Sequence, residues 1–145
     1  MKKLLLCVIM IALSAITSLA QKADYTKYEV IAQTNDVAIV VKDNDYRMVV
    51  GPLKKPKTVF LLGYSKEQAA QRLQQFIEQA DNKNYSKKNR PVTFCGVNLQ
   101  LIAIDSKAED VNYVFLREDN NVKFRLNKSS LVSYIDLLLA LRLSY

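Results

Sequence analysis

The chain has no histidine and no tryptophan, and only two cysteines, three glycines and three prolines in 145 residues. Without an imidazole there is no Ser-His-Asp triad, no histidine general base and no histidine metal ligand, which removes most familiar hydrolase and metalloenzyme sites. The three glycines, Gly51, Gly63 and Gly96, stand alone, so no Gly-rich loop is available to cradle a phosphate. Scarce Gly and Pro beside 50% hydrophobic residues exclude a collagen-like or disordered chain, because enough apolar surface exists to offset the entropy of folding. Two cysteines are too few for a disulfide-built miniprotein.

Met1-Lys2-Lys3 is a short basic start, Leu4 to Leu13 is an unbroken apolar run, and Ser14 to Ala20 turns small and polar. These are the three parts of a secretory signal peptide, and the small Ser18 and Ala20 place cleavage before Gln21. Ser14, Thr17 and Ser18 interrupt the run short of the roughly 20 apolar residues that span a bilayer. Cys7 sits within that run with no small residue before it, so it leaves with the signal. The expected organisation is a signal at 1–20 and one α+β domain at 21–145, secreted or periplasmic, with no transmembrane segment in the mature chain. Removing Lys2 and Lys3 leaves 19 basic residues against 14 acidic ones, a net charge of +5. Cys95 is then the single thiol and cannot form an intramolecular bridge.

Residues 21–27 are polar and read as frayed. Tyr28 to Gln33, Val37 to Lys42 and Tyr46 to Gly51 are rich in Val, Ile or Tyr and are separated by Thr34-Asn35-Asp36 and Asp43-Asn44-Asp45. Asn and Asp tolerate the left-handed backbone of tight turns, so these are three strands of a meander. Pro52 to Lys57 interrupts pairing before a fourth strand, Thr58 to Gly63. Ser65 with Gln68 three residues on is a capping-box pair, and Ala69, Leu73, Phe76, Ile77 and Ala80 recur at helical spacing. Asp81 to Arg90 reads as an exposed basic loop. Val92 to Cys95, Val97 to Ile104, Val111 to Arg117 and Val122 to Asn127 repeat the strand pattern, with turns at Gly96, Ser106 to Asp110 and Glu118 to Asn121. Lys123 and Arg125 alternate with Val122, Phe124 and Leu126, so the last strand has one solvated face. Ser129 or Ser130 then caps an apolar segment, Leu131 to Leu143, whose last residues read equally as helix or strand.

The predicted class is therefore α+β, antiparallel meanders with helices packed on the sheet, in the order ββββα-ββββα. An offset of 64 residues lays Phe60 on Phe124, Leu62 on Leu126, Ser65 on Ser129, Leu73 on Leu137 and Ile77 on Leu141, the pattern of a duplication. This element order resembles the Whirly family of single-stranded nucleic-acid-binding proteins. The resemblance spans nearly all of the mature chain as element order alone. It implies curved sheets that carry ligand and helices that mediate assembly; the family's Lys-Gly-Lys-Ala-Ala-Leu motif is absent from this sequence, and no residue is carried over.

Cys95 has no histidine to hold it as a thiolate and reads as a small buried hydrophobe at a strand end. The acidic clusters Asp43-Asn44-Asp45, Glu109-Asp110 and Glu118-Asp119 coincide with turns and lack the spacing of a calcium loop. No catalytic residue, metal ligand or cofactor site is assigned, and an enzyme is not expected. Two basic segments remain: Lys54, Lys55 and Lys57, then Lys83, Lys87, Lys88 and Arg90. Brought together they would form a positive surface for an anionic partner. Leu131, Ile135, Leu138 and Leu141 form either core or a homodimer face. The expected function is an exported binding or interaction protein of the bacterial cell envelope, with an envelope protein or a second copy as partner. The alternative is a binder of anionic polymer (glycan, lipid headgroup or single-stranded nucleic acid) through basic loops and the sheet face; export argues against nucleic acid.

Overall fold

β-Branched and aromatic runs broken by Asn- and Asp-bearing turns fold as β1 (Glu29–Thr34), β2 (Val37–Lys42), β3 (Asp45–Val50) and β4 (Thr58–Gly63), followed by α1 (Lys66–Ala80). The second half gives β5 (Arg90–Phe94), β6 (Val97–Asp105), β7 (Asn112–Arg117) and β8 (Val122–Asn127), then α2 (Lys128–Ala140). A computed structural model describes residues 24–81, 90–105 and 110–141. The expected signal segment lies outside them, as do Lys83, Lys87 and Lys88. Each group of four strands is its own antiparallel sheet in chain order, β1-β2-β3-β4 and β5-β6-β7-β8, so the class and element order are those expected. None of the helices among the described residues is long and apolar enough to cross a membrane.

Asp43 and Asn44 take φ of 51° and 63° between β2 and β3, the pair of left-handed residues a two-residue hairpin needs. Cys95 and Gly96 do the same between β5 and β6, at 53° and 78°. Cys95 is thus a turn residue and not the last residue of its strand.

The first helix starts as its sequence predicts: Ser65 Oγ accepts from Gln68 N at 3.1 Å, while Gln68 Oε1 accepts from Tyr64 N at 2.9 Å. A Cβ at Gly63 would fall 2.5 Å from that Oε1, so a side chain there would displace the Gln68 half of the cap. The second helix starts earlier than expected. Asn127, the last residue of β8, is its cap, and Asn127 Oδ1 accepts from Ser130 N at 3.2 Å. Strand and helix are therefore offset differently between the halves. Phe60 and Phe124 keep the 64-residue relation and both are buried, but the helices match at 62, laying Ala69, Leu73 and Phe76 on Leu131, Ile135 and Leu138. The expected partner of Leu73, Leu137, is 43% exposed.

One core runs through both halves. Its centre is two cross-strand rows, Ile39-Met48-Phe60 and Leu101-Phe115-Phe124, one in each sheet. The Phe60 and Phe124 rings meet at 5.6 Å, and Phe76 of α1 stacks on Phe94 at 4.1 Å. Each helix lies between the last strand of its own sheet and the first strand of the other: α1 against β4 and β5, α2 against β8 and β1, with the helices packed on each other. This is a pseudo-twofold arrangement. Leu131 and Leu138 belong to the core, with Ile135 and Leu141 packed on it, while Val132, Leu137 and Leu139 face outward. Leu141 is extended at the end of α2.

The halves differ on their outer faces. Ala38, Val40 and Val49 on the outside of the first sheet are sealed by Tyr25, which is 5% exposed. Tyr25 N donates to the Leu53 carbonyl at 2.8 Å, and Arg47 Nη1 donates to Tyr25 Oη at 3.0 Å. The segment expected to fray is anchored from Tyr25 onward, because its aromatic ring covers apolar surface that would otherwise meet water.

Candidate functional site

An edge strand turns the N–H and C=O of every second residue away from its ladder. The two sheets have four edges, β1, β4, β5 and β8. At β5, Gln79 Nε2 donates to the Thr93 carbonyl at 2.9 Å and Gln79 Oε1 accepts from Thr93 N at 3.1 Å, so a side-chain amide takes the place of a neighbouring strand. At β4, Arg72 donates to the Leu61 carbonyl and Arg117 to the Val59 carbonyl, each at 3.2 Å. β1 lies against α2.

β8 is different. Lys128 N donates to the Val111 carbonyl at 2.8 Å in register with the β7–β8 pairs. Alternation then makes Tyr113–Leu126 and Phe115–Phe124 the hydrogen-bonded pairs and turns the backbone of Lys123 and Arg125 outward. Among the described residues, no side chain closes those backbone groups. The strand offset of 64 matches Lys123 and Arg125 to Val59 and Leu61, whose carbonyls are closed on β4. The closing arginines match different residues: Arg72 corresponds to Tyr134 on α2, and Arg117 to Val50 on β3.

Tyr134 and Val50 instead line a cleft of about 400 Å³ between β8 and the β1–β2 turn. Buried Val37, Val50 and Tyr134 form its base, and Asp36, Lys57, Lys123 and Arg125 stand around it. The Tyr134 hydroxyl shares a hydrogen bond with Thr34 Oγ1, and burial raises its pKa above the usual phenol value, so it stays protonated. Lys57 also borders a second depression of about 540 Å³ with Thr58, Arg117 and Asp119. Arg117 is committed there: it pairs with Asp119 at 2.6 Å and donates to Thr58 Oγ1 at 2.7 Å. Among the described residues, Lys57, Lys123 and Arg125 have no ion-pair partner.

Of the predicted basic residues, Lys54, Lys55 and Lys57 are exposed on one loop, and only Lys57 reaches the cleft. Arg90 requires correction. It opens β5, is 4% exposed, and donates to the carbonyls of Gln79 and Ala80 at 2.6 Å each, closing the C-terminus of α1. A guanidinium so placed serves a helix end and not a solution anion. Nearby, Asp81 accepts from the Tyr113 hydroxyl and pairs with Lys128, joining the end of α1 to the start of α2. Burial pushes the Cys95 thiol up to about 11, so it is held neutral. No group of three or more Cys, Asp or Glu among the described residues could hold a metal ion. Sequence reading missed Lys123, Arg125 and Tyr134 as a group. The alternation placing Lys123 and Arg125 in solvent was visible, but nothing local marks β8 as an edge. No protein-family model matches the chain, and no curated protein or solved structure does.

Proposed function

We propose that this chain is an exported, non-enzymatic binding protein of the bacterial cell envelope, whose cleft beside β8 receives an anionic group of its partner. The observation that carries this reading is a set of three cations, Lys57, Lys123 and Arg125, that have no ion-pair partner among the described residues and stand around a cleft whose described lining holds a single carboxylate, Asp36. Such an arrangement attracts negative charge from a distance and leaves it partly desolvated on arrival.

Binding of the mature chain to fluorescent polyaspartate is expected to weaken steeply with added salt and to be lost in the triple variant Lys57→Gln, Lys123→Gln, Arg125→Gln. A flat salt response, or full binding by that variant, overturns the proposal. The polymer alternative rests on Lys54 and Lys55, which extend positive charge along the 52–57 loop. If Lys54→Gln with Lys55→Gln weakens heparin binding as much as the triple variant does, the contact lies along that loop and the cleft reading fails.

A further inference from the structure

We infer that β8 is a docking edge for an extended acidic peptide, which adds as a fifth strand to the second sheet, with its carboxylates among the cations at the rim of the cleft and its alternate aliphatic side chains over the apolar base. This inference rests on the anion-binding reading of the cleft and specifies the partner.

Three observations carry it. First, β4 and β5 are sealed by Arg72, Arg117 and Gln79, whereas among the described residues no side chain closes the equivalent outward backbone positions on β8, Lys123 and Arg125. Second, the residues matching the sealing arginines, Tyr134 and Val50, sit back at the base of a cleft, leaving space where the first half has a guanidinium. Third, the charge beside the open edge is mainly positive, with three cations to the one carboxylate, Asp36, among the described lining residues. Lys123 and Arg125 are exposed on the outer face, next in the ladder to Leu116 and Val114.

These features select among occupants. A second copy pairing β8 with β8 antiparallel would set Lys123 and Arg125 against the same cations, which cross-strand pairing disfavours. A polyphosphate offers acceptors only and would leave the outward carbonyls of Lys123 and Arg125 facing negative oxygens, and a sulfated glycan has hydroxyl donors but no alternation of donor and acceptor at strand spacing. A peptide backbone offers donors and acceptors alternately at strand spacing, as strand addition requires. With the alternation of an added strand, Asp or Glu would stand beside Lys123 and Arg125, and aliphatic residues on the other face would meet Val37, Val50 and Tyr134.

The test uses the mature chain and a fluorescein-labelled peptide of alternating Glu and Val, followed by anisotropy. Two competitors accompany it: the same peptide N-methylated at every second residue, and polyglutamate. Strand addition predicts saturable binding, weakened about tenfold or more by N-methylation, the scale expected for losing two or more peptide hydrogen bonds. Arg125→Pro should weaken binding similarly without unfolding the protein, because the Arg125 N–H points away from β7 and proline is tolerated there. Circular dichroism checks the fold, and Arg125→Gln, which loses the charge but keeps the N–H, sets the baseline that Arg125→Pro must exceed; if the proline variant does not fold, the N-methylated peptide decides. Equal binding of the N-methylated peptide and the parent overturns strand addition but leaves the anion-binding cleft standing. Absence of binding by every acidic probe overturns both.

Discussion

At the scale of single residues, Arg90 shows how charge can mislead and how it could be corrected. Following Lys83, Lys87 and Lys88, it reads as one more solvated cation. The period-two relation of Arg90, Val92 and Phe94 nevertheless puts it on the inward face, provided the strand is started one residue before Pro91. There it meets the carbonyls at the end of α1, of Ala80 in a buried bond and of Gln79 in a half-buried one. Arg90→Ala should lower unfolding free energy by about 2–4 kcal/mol, since both acceptors lose a charged donor; urea denaturation measures this. The same variant should bind polyaspartate with unchanged salt dependence, because the guanidinium is not at the cleft. Tyr25 was obscured for a related reason: its neighbours are polar, and one buried aromatic in a polar segment leaves no periodic trace.

At the scale of elements, strand positions and class were legible because hydrophobic alternation and Asn/Asp turns are local signals. The start of α2 was not. Ser129 and Ser130 are good caps, but β8 runs straight into the helix and Asn127 arrives first, already positioned by its place in the sheet. Asn127→Ala should cost about 1 kcal/mol of stability, read by thermal or urea unfolding. The two-residue change of offset also decides which leucines matter. Leu138→Ala should cost about 2–5 kcal/mol as a cavity in the core, whereas Leu137→Ala should stay within about 0.5 kcal/mol. Comparable losses at both positions would contradict the helix orientation. The candidate site was legible only in part for the same underlying reason. Alternation in β8 shows which side chains are wet, but whether a strand has a neighbour on its far side depends on the whole sheet.

At the scale of the whole molecule, the absence of histidine returns as a stability profile. Hydrogen bonds from Ser129 to Asp110 and from Arg117 to Asp119 hold both carboxyls below their ordinary 3.8. The folded chain therefore takes up protons less readily than the unfolded one, and the stability these groups give is present above 3.8 and lost as pH falls below it. Cys95 acts at the other end: its thiol is raised from 9.0 to about 11, so the unfolded chain ionises first and stability falls as pH rises from 9.0. No imidazole titrates in the interval from about 5 to 8, and the urea midpoint should be flat there. A slope across that interval would point to a coupling outside the groups described. The pairing order of the strands has a kinetic counterpart. Every strand pairs only with its neighbour in the chain, so both sheets can form by closing short loops, with little entropy lost before each contact is made. Of the contacts that join the halves, that between Thr34 and Tyr134 is distant by comparison, across 100 residues. α1 meets β5 across only 14 residues, so seating α2 on β1 is the natural late barrier to folding. Until it is crossed, both meanders expose the apolar faces that the finished molecule hides.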